Sequence, residues 1–180
     1  MILGDSDLRQ YISAGKLVIK NLTEESIREN GIDCRIGDTY AIDVEKYMHQ
    51  IVDTHDKESV CERFKIGRMK FIDNVIVPSQ TNILLATKEE FSLPDDLMAF
   101  CALRSTVARM GFVSPITIID AGFKGTLTIE AFYGGKNPIK IYAGDRFLHV
   151  VFAKINTFVT KPYNGTYTGQ TNVRLPKCMS

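Results

Sequence analysis

Hydrophobic positions recur at helical spacing near the start of the chain, and from about residue 31 onward they alternate with polar ones. Leu8 and Ile12 fall on one face of a predicted helix over residues 5–13. A brief strand over 17–19 and a helical turn over 23–27 follow it. Beyond them the alternation is typical of strands, so the pattern predicts a chain that is mainly β.

The first strand of this β region shows the alternation most clearly. Ile32, Cys34 and Ile36 alternate with Asp33 and Arg35. Because successive side chains of a strand point to opposite faces, this order predicts a half-buried strand.

Short apolar runs separated by turn residues then follow at nearly even spacing. Many short strands with few helices are typical of an antiparallel sandwich, a jelly roll or a distorted barrel. Residues 44–67 are polar without a clear period, which we interpret as an insertion or a long surface loop. One helical turn is expected over 105–110. The remaining predicted strands cover residues 71–77, 82–87, 98–103, 116–119, 126–132, 139–142 and 147–155.

Length and composition exclude several classes of function. With 180 residues the chain is expected to form one domain, in which the turn-rich residues 160–180 make a flexible C-terminal arm. A formal net charge of +1 provides no broad basic surface, so we expect no nucleic-acid partner. No apolar run reaches about 18 residues, and no signal-peptide pattern is present, so neither a membrane partner nor secretion is expected. Four scattered cysteines are typical of a reduced, cytoplasmic protein.

An arginine- and hydroxyl-rich segment, R-S-T-V-A-R, spans Arg104–Arg109. Hydroxyls and unpaired backbone N–H groups at the start of a helical turn suit a phosphate. The two arginines can each make forked hydrogen bonds to phosphate or carboxylate oxygens. A serine or threonine cap beside two solvated arginines is the alternative interpretation.

Two acidic residues follow at the ends of predicted strands. Asp120 precedes a turn bracketed by Gly122 and Gly125, where it can hold a sugar hydroxyl or a water, or cap its own backbone. Glu130 lies on the polar face of its strand together with Thr128. That face is either a solvent-exposed stripe or the place of a general acid/base.

The tail and the histidines complete the candidate chemistry. Tyr163, Tyr167 and Gln170 lie among glycines, where aromatic side chains can cover a planar ligand, although a frayed terminus is the alternative. Zinc deaminases need an H-x-E…P-C-x-x-C arrangement, which the sequence lacks, and the three histidines have no zinc-site spacing. No zinc is therefore expected.

Together these segments resemble the deoxycytidine triphosphate (dCTP) deaminase family, a branch of the trimeric dUTPase superfamily. The family pattern combines an R-S-S-x-A-R turn, an I-D-x-G-[FW]-x-G turn, a strand ending in L-E or I-E, and a tail resembling P-Y-x-x-K-Y-x-x-Q. The corresponding segments here are Arg104–Arg109, Ile119–Gly125, Ile129-Glu130 and Pro162–Gln170, and Ile2–Asp5 and Asp33–Gly37 also fit.

The resemblance implies a mainly β fold, a distorted jelly roll or β-barrel of the dUTPase type with a few short helices. It implies a homotrimer with active sites between subunits, and nucleotide partners that are dCTP or dUTP. It also implies hydrolytic deamination of dCTP to dUTP and ammonia in pyrimidine deoxynucleotide metabolism. Mg²⁺ would arrive with the triphosphate, without metal ligands of the protein's own and without zinc.

The resemblance also assigns roles to residues. Glu130 would take a proton from water, the hydroxide would attack C4 of cytosine, and the proton would return to the departing ammonia. Ser105 and Arg109 would position the water and stabilise developing charge, and Asp120 would hold the deoxyribose hydroxyl. The residues implied to contact the nucleotide are Arg104, Ser105, Thr106, Val107, Ala108, Arg109, Asp120, Thr128, Ile129, Tyr163, Thr166 and Gln170.

Departures from the family pattern leave alternative functions open. Thr166 stands where the family usually has lysine, and Ile116 where a small alanine often lines the base pocket. A bifunctional enzyme would release dUMP and pyrophosphate, and a dUTPase would use Asp120 and magnesium to activate water. A catalytically silent nucleotide sensor is a further alternative. Glu130 favours the deaminase, because plain dUTPases usually carry an apolar residue at that strand position.

Overall fold

A computed structural model describes residues 1–44, 51–69 and 74–179. The helices are α1 (Asp5–Ser13), α2 (Lys57–Glu62) and α3 (Ser105–Arg109), with a 3₁₀ turn at Glu24–Ser26. The strands are β1 (Val18–Lys20), β2 (Ile27–Arg28), β3 (Gly31–Asp43), β4 (Phe64–Arg68), β5 (Asn74–Val77), β6 (Thr81–Ser92), β7 (Leu97–Leu103), β8 (Phe112–Val113), β9 (Thr117–Ile119), β10 (Lys124–Tyr133), β11 (Ile139–Tyr142) and β12 (Arg146–Lys154).

Ten of these strands form one antiparallel sheet. Its order is β8-β10-β6-β3-β12-β7-β9, with β1 added to β6 and with β2 and β4 added to β3. Strands β5 and β11 pair separately. The two longest strands, β3 and β6, lie at the centre, where register shifts interrupt their pairing between Ile36 and Tyr40. Such irregularities increase the local twist and help a sheet to curl.

The curled sheet buries apolar side chains in one large core and in a second, smaller cluster. Phe91 of β6 and Phe152 of β12 are fully buried, and their ring centroids lie 6.5 Å apart. These two strands are separated by β3 in the sheet order, so the two rings pack against each other across one intervening strand. Burying one such side chain contributes about 1.5–3 kcal/mol, which makes the core the main source of stability.

The predicted half-buried strand at residues 31–37 is wrong in its burial. Asp33 is only 3% exposed, although it belongs to the polar set of the alternation. The reason is that charged neighbours cover this face of β3: Asp33 pairs with Arg104, and Arg35 pairs with Glu89. A buried charge is tolerated when it is paired and hydrogen-bonded, and such pairing cannot be read from the periodicity of one strand.

The predicted long loop over residues 44–67 is also wrong for its second half, which contains α2 and β4. Asp56 caps α2, accepting a hydrogen bond from the backbone N–H of Glu58 at 3.0 Å. Strand β4 pairs with β3 but remains half exposed, and a half-exposed edge strand gives no clear period in the sequence. Residues 71–73, the start of another predicted strand, lie outside the described residues.

The other predicted elements agree with the structure within a few residues, except that β6 continues to Ser92, five residues past the predicted end at 87. The helix over 5–13 is α1, the turn over 23–27 is the 3₁₀ turn, and the turn over 105–110 is α3. Strand 139–142 is reproduced as β11. Among the described residues, no helix has the length and apolar character needed to cross a membrane.

Candidate active site

A cavity of about 430 Å³ lies where the two ends of the sheet order approach each other. One wall is β9 with Asp120 directly after it, and the other is β10, from which Thr128 and Glu130 face the cavity. The C-terminal arm, residues 160–179, closes a third side with Tyr163 and Gln170. The curl of the sheet therefore brings together residues that are far apart in its strand order.

The cavity unites five of the predicted site residues. These are Asp120, Thr128, Glu130, Tyr163 and Gln170. Ile129 points the opposite way on β10 and is fully buried in the core. The remaining predicted residues do not line this cavity within one chain; they are Arg104, Ser105, Thr106, Val107, Ala108, Arg109 and Thr166.

The carboxyl group of Glu130 is exposed, on a strand position that pairs with Leu84 of β6. Among the ion pairs formed by the described residues, none includes Glu130. Its charge reaches the neighbouring Cys101: burial, with a smaller contribution from Glu130, raises the pKa of that thiol to about 12. Glu130 is thus a carboxylate without a fixed cationic partner at the edge of an enclosed space.

The buried thiols give a direct test of this part of the structure. Burial also raises the pKa of Cys34 well above its ordinary value, whereas Cys61 and Cys178 are only half buried. Because the thiolate is the reactive form, iodoacetamide at pH 8.5 is expected to modify Cys61 and Cys178 and to spare Cys34 and Cys101. Mass spectrometry of the folded protein checks this, and labelling in denaturant is the control. Alkylation of Cys101 in the folded state would contradict the structure.

The arm is fixed to β10 through Gln170. Its side-chain Nε2 donates to the carbonyl of Thr126 at 2.6 Å, and the Thr126 N–H donates to the Gln170 carbonyl at 2.8 Å. Gln170 is 4% exposed, and its Oε1 is buried without a hydrogen-bond partner among the described residues. An unpaired buried acceptor is costly, so this oxygen marks a position where a ligand donor would be favourable.

The two glycines of the turn after Asp120 make room for this arm. A Cβ on Gly125 would lie 2.7 Å from the Gln170 carbonyl oxygen, and one on Gly122 would lie 2.5 Å from Pro162. Both glycines also have positive φ, at 134° and 83°. The sequence pattern showed the turn, but the close approach of the arm is the additional reason for glycine at both positions. That residues 160–180 form a flexible arm stays a prediction.

Arg104 is directed toward a buried carboxylate that the sequence interpretation gave no role. Its Nε lies 3.3 Å from Asp33 Oδ2, and the side chain of Asp33 is 4% exposed. His149 Nδ1 lies 3.0 Å from Asp33 Oδ1, and Arg146 lies 3.7 Å from Oδ2. The alternation at residues 32–36 gave no signal for this cluster, because a buried acid needs partners from elsewhere in the fold.

Helix α3 presents its polar side chains to solvent, away from the cavity of its own chain. Ser105, Thr106 and Arg109 are exposed, while Val107 packs partly against the core. Arg109 takes part in none of the ion pairs found among the described residues. Among all the residues that the structure describes, no three His, Cys, Asp or Glu side chains come together as a metal site.

Comparison with known proteins decides the family. A protein-family model described as dCTP deaminase-like matches residues 2–155, most of the chain. The chain belongs to the dCTP deaminase-like family. This family match covers the sheet and both walls of the cavity but ends before the arm, and it confirms the predicted family.

Relatives of this family are similar along nearly the whole chain. The sequence is 44% identical over 178 residues to a dCTP deaminase of Korarchaeum cryptofilum, covering 98% of each chain. It is equally 44% identical, over 177 residues, to a probable deoxyuridine 5'-triphosphate nucleotidohydrolase of Sulfolobus islandicus rod-shaped virus 1, covering 98% of this chain and 99% of the viral one. The family thus includes close relatives that carry either name.

The fold of the family is also found among solved structures. The crystal structure of 2'-deoxycytidine 5'-triphosphate deaminase from Agrobacterium tumefaciens superposes with a TM-score of 0.64 at 19% identity. The match covers 86% of this chain and 48% of that one, so this chain spans about half the length of the Agrobacterium protein. The predicted mainly β fold of the dUTPase type is confirmed, as a curled antiparallel half-barrel with a few short helices.

Proposed function

We propose that the protein catalyses the zinc-independent, hydrolytic deamination of dCTP to dUTP and ammonia, as a step of pyrimidine deoxynucleotide metabolism. The observation that carries the proposal is the carboxylate of Glu130, which belongs to no ion pair of the described residues and faces a cavity that also contains Asp120, in a chain 44% identical to a dCTP deaminase. Its four free cysteines agree with action in a reducing cytoplasm.

In the proposed mechanism Glu130 acts as general base and then as general acid. Its carboxylate takes a proton from water, and the resulting hydroxide adds to C4 of cytosine. The C4–N bond of the tetrahedral intermediate breaks, and the proton held by Glu130 leaves with the amino group as ammonia. The proton of the added hydroxyl passes to N3 as the C4 carbonyl forms, which gives the uracil ring. Asp120, at the end of β9, accepts a hydrogen bond from the deoxyribose hydroxyl and so fixes the position of the ring.

The active site is completed, in this proposal, by a second copy of the chain within a homotrimer. Ser105 and Arg109 are exposed on α3 and lie outside the lining of the cavity of their own chain, so they are free to enter a neighbour's. Beside the cavity, the paired residues Phe100 and Ile118 expose apolar side chains, 37% and 54%. An exposed apolar area of this kind is suited to a protein contact.

Mg²⁺ is proposed to enter with the nucleotide. The cavity supplies two carboxylates, Asp120 and Glu130, and no cluster of three possible metal ligands occurs among the described residues. Mg²⁺ is commonly bound through one or two carboxylates together with substrate phosphates, so a cation carried by the triphosphate fits this lining. When bound, the ion would neutralise part of the phosphate charge.

Gln170 is better suited to a substrate N–H or O–H donor than to a phosphate oxygen. Its amide nitrogen is already used by the Thr126 carbonyl, and its free atom is the acceptor Oε1. An acceptor would repel a phosphate oxygen, whereas it would pair with a sugar hydroxyl or an amino group. We therefore place this side chain near the nucleoside part of the substrate.

A second candidate function is a bifunctional enzyme or a dUTPase. The viral relative that is named a probable deoxyuridine 5'-triphosphate nucleotidohydrolase is as similar as the archaeal deaminase. Asp120 lies in the cavity, where it can orient a water toward a phosphate. In that case the α–β phosphate bond would break, either after deamination or without it.

One assay separates these functions. The purified protein is incubated with magnesium and either dCTP or dUTP, and ammonia, dUTP, dUMP and pyrophosphate are measured. Ammonia with dUTP supports a deaminase, and ammonia with dUMP supports the bifunctional enzyme. Pyrophosphate from dUTP alone would identify a dUTPase, and tight binding without any product would identify a silent sensor.

A further inference from the structure

Two cations of the C-terminal arm lie at or beside the cavity without an acidic partner. Arg174 lines the cavity, and its backbone N–H donates to Thr128 Oγ1 at 3.1 Å. Lys177 Nζ donates to Thr166 Oγ1 at 2.9 Å. Neither cation belongs to an ion pair of residues 1–44, 51–69 or 74–179.

The charges of the cavity are unfavourable for a polyanion without such cations. The acidic residues of the cavity lining are Asp120 and Glu130. Of the described residues that line the cavity, only Arg174 is a cation. Arg104 is occupied by Asp33, 3.3 Å away. Since like charges repel a triphosphate and arginine or lysine binds it, the cavity of a single chain needs further positive charge, to which the arm can contribute beside the Arg109 proposed to enter from a second copy.

The middle of the arm does not provide this charge. Residues 162–173 contain neither lysine nor arginine, and Thr166 occupies the position at which a lysine is common in the family pattern. The cations of the arm flank this stretch: Lys161 precedes it, and Arg174 and Lys177 follow it.

The course of the arm brings Lys177 back to that position. After Gln170, the Val173 N–H donates to Thr39 Oγ1 at 3.0 Å, which holds the arm against β3. The Lys177 side chain then spans back across 11 residues to Thr166. Lys177 lines a second cavity that shares Leu84, Glu130 and Pro176 with this one, which places the residue beside the candidate active site.

The ammonium group retains hydrogen-bonding capacity in this arrangement. A lysine ammonium has three donors, and the hydroxyl of Thr166 accepts one of them. Lys177 borders this second, mainly apolar cavity of about 500 Å³ and is exposed, so its side chain is accessible to a ligand.

We propose that Lys177, held by the hydroxyl of Thr166, binds the triphosphate at the cavity mouth, with Arg174 beside it. The inference rests on the proposed function, because it assigns a binding role within that site. Lys177, 11 residues further along the chain, thereby brings a positive charge to the side chain of Thr166.

The test removes the positive charge at position 177 and then restores a positive charge at position 166. Lys177→Met is expected to raise KM for dCTP roughly tenfold with little change in kcat, because the contact binds ground state and transition state alike. Adding Thr166→Lys to this variant is expected to recover most of the loss, and Lys177→Arg is expected to keep KM close to the wild-type value. Lys140→Met, at an exposed position of β11, is the matched control and is expected to leave KM unchanged.

Two results would overturn the inference. A wild-type KM in Lys177→Met would exclude a binding role, and a raised KM that Thr166→Lys does not lower would show that Lys177 only supports the fold. Circular dichroism and thermal unfolding verify that the variants are folded. If the wild-type protein releases no ammonia from dCTP, the proposed function fails, and calorimetric titration of magnesium–dCTP into wild type and Lys177→Met still decides the role of Lys177.

Discussion

Replacing Glu130 with glutamine is expected to lower the rate of ammonia release from dCTP by roughly 10²–10⁴-fold, the usual contribution of a positioned general acid/base. Glutamine keeps the shape of the side chain but cannot accept the proton of the attacking water. The fold should not suffer, because the carboxyl group is exposed and is absent from the ion pairs formed by the described residues.

Single-turnover kinetics with a separate measurement of nucleotide binding tests this expectation. In Glu130→Gln, binding of magnesium–dCTP should remain close to wild type while the chemical step is lost. Glu25→Gln, at an exposed carboxylate of the 3₁₀ turn, is the matched control and should keep full activity. Undiminished ammonia release by Glu130→Gln would disprove the assigned role of Glu130.

Cytosine deamination and phosphate hydrolysis are expected to respond differently to this change. If the enzyme is bifunctional, Glu130→Gln supplied with dUTP should still release pyrophosphate, because that step would depend on Asp120. The comparison of dCTP and dUTP as substrates of the same variant therefore tells which of the two acids serves which reaction.

The sequence predicted the strands well wherever one face of the sheet meets the core. β11 was predicted with its observed ends, and β10 within two residues at either end, since apolar and polar side chains alternate there. Strand β4 was missed because it lies at a half-exposed position against β3, where burial imposes no period. The burial of β3 was misjudged because both of its faces are covered, one of them by charged partners.

Prediction of the site depended on whether its residues lie close together in the sequence. Asp120 and Glu130 flank a single turn and strand, and the structure places both at the cavity. The contact of Lys177 with Thr166 depends on the arm folding back on itself, which no local pattern encodes. The role of Asp33 likewise depends on pairing with Arg104, 71 positions later in the sequence.

Replacing Asp33 with asparagine is expected to lower the free energy of unfolding by about 2–3 kcal/mol. Removing one partner of a buried ion pair typically costs about 3–5 kcal/mol, because the remaining charge loses its compensation. The estimate is set lower here because Arg104 and Arg146 are 30% and 43% exposed, so that water can partly solvate them. The hydrogen bond with His149 would also be weakened, since an amide is a poorer acceptor than a carboxylate.

Urea unfolding measures this effect, at one fixed protein concentration because the stability of the proposed trimer would depend on concentration. Asp38→Asn is the matched control on the same strand: its carboxylate lies 3.8 Å from Arg68 with more than half of both side chains exposed. Such a surface pair is worth less than about 1 kcal/mol, so this variant should unfold nearly as the wild type does. Equal midpoints for Asp33→Asn and Asp38→Asn would mean that the Asp33 cluster does not stabilise β3. A loss confined to Asp33→Asn, accompanied by a raised KM for dCTP, would instead show that the buried carboxylate stabilises the strand and also holds Arg104 in place beside α3.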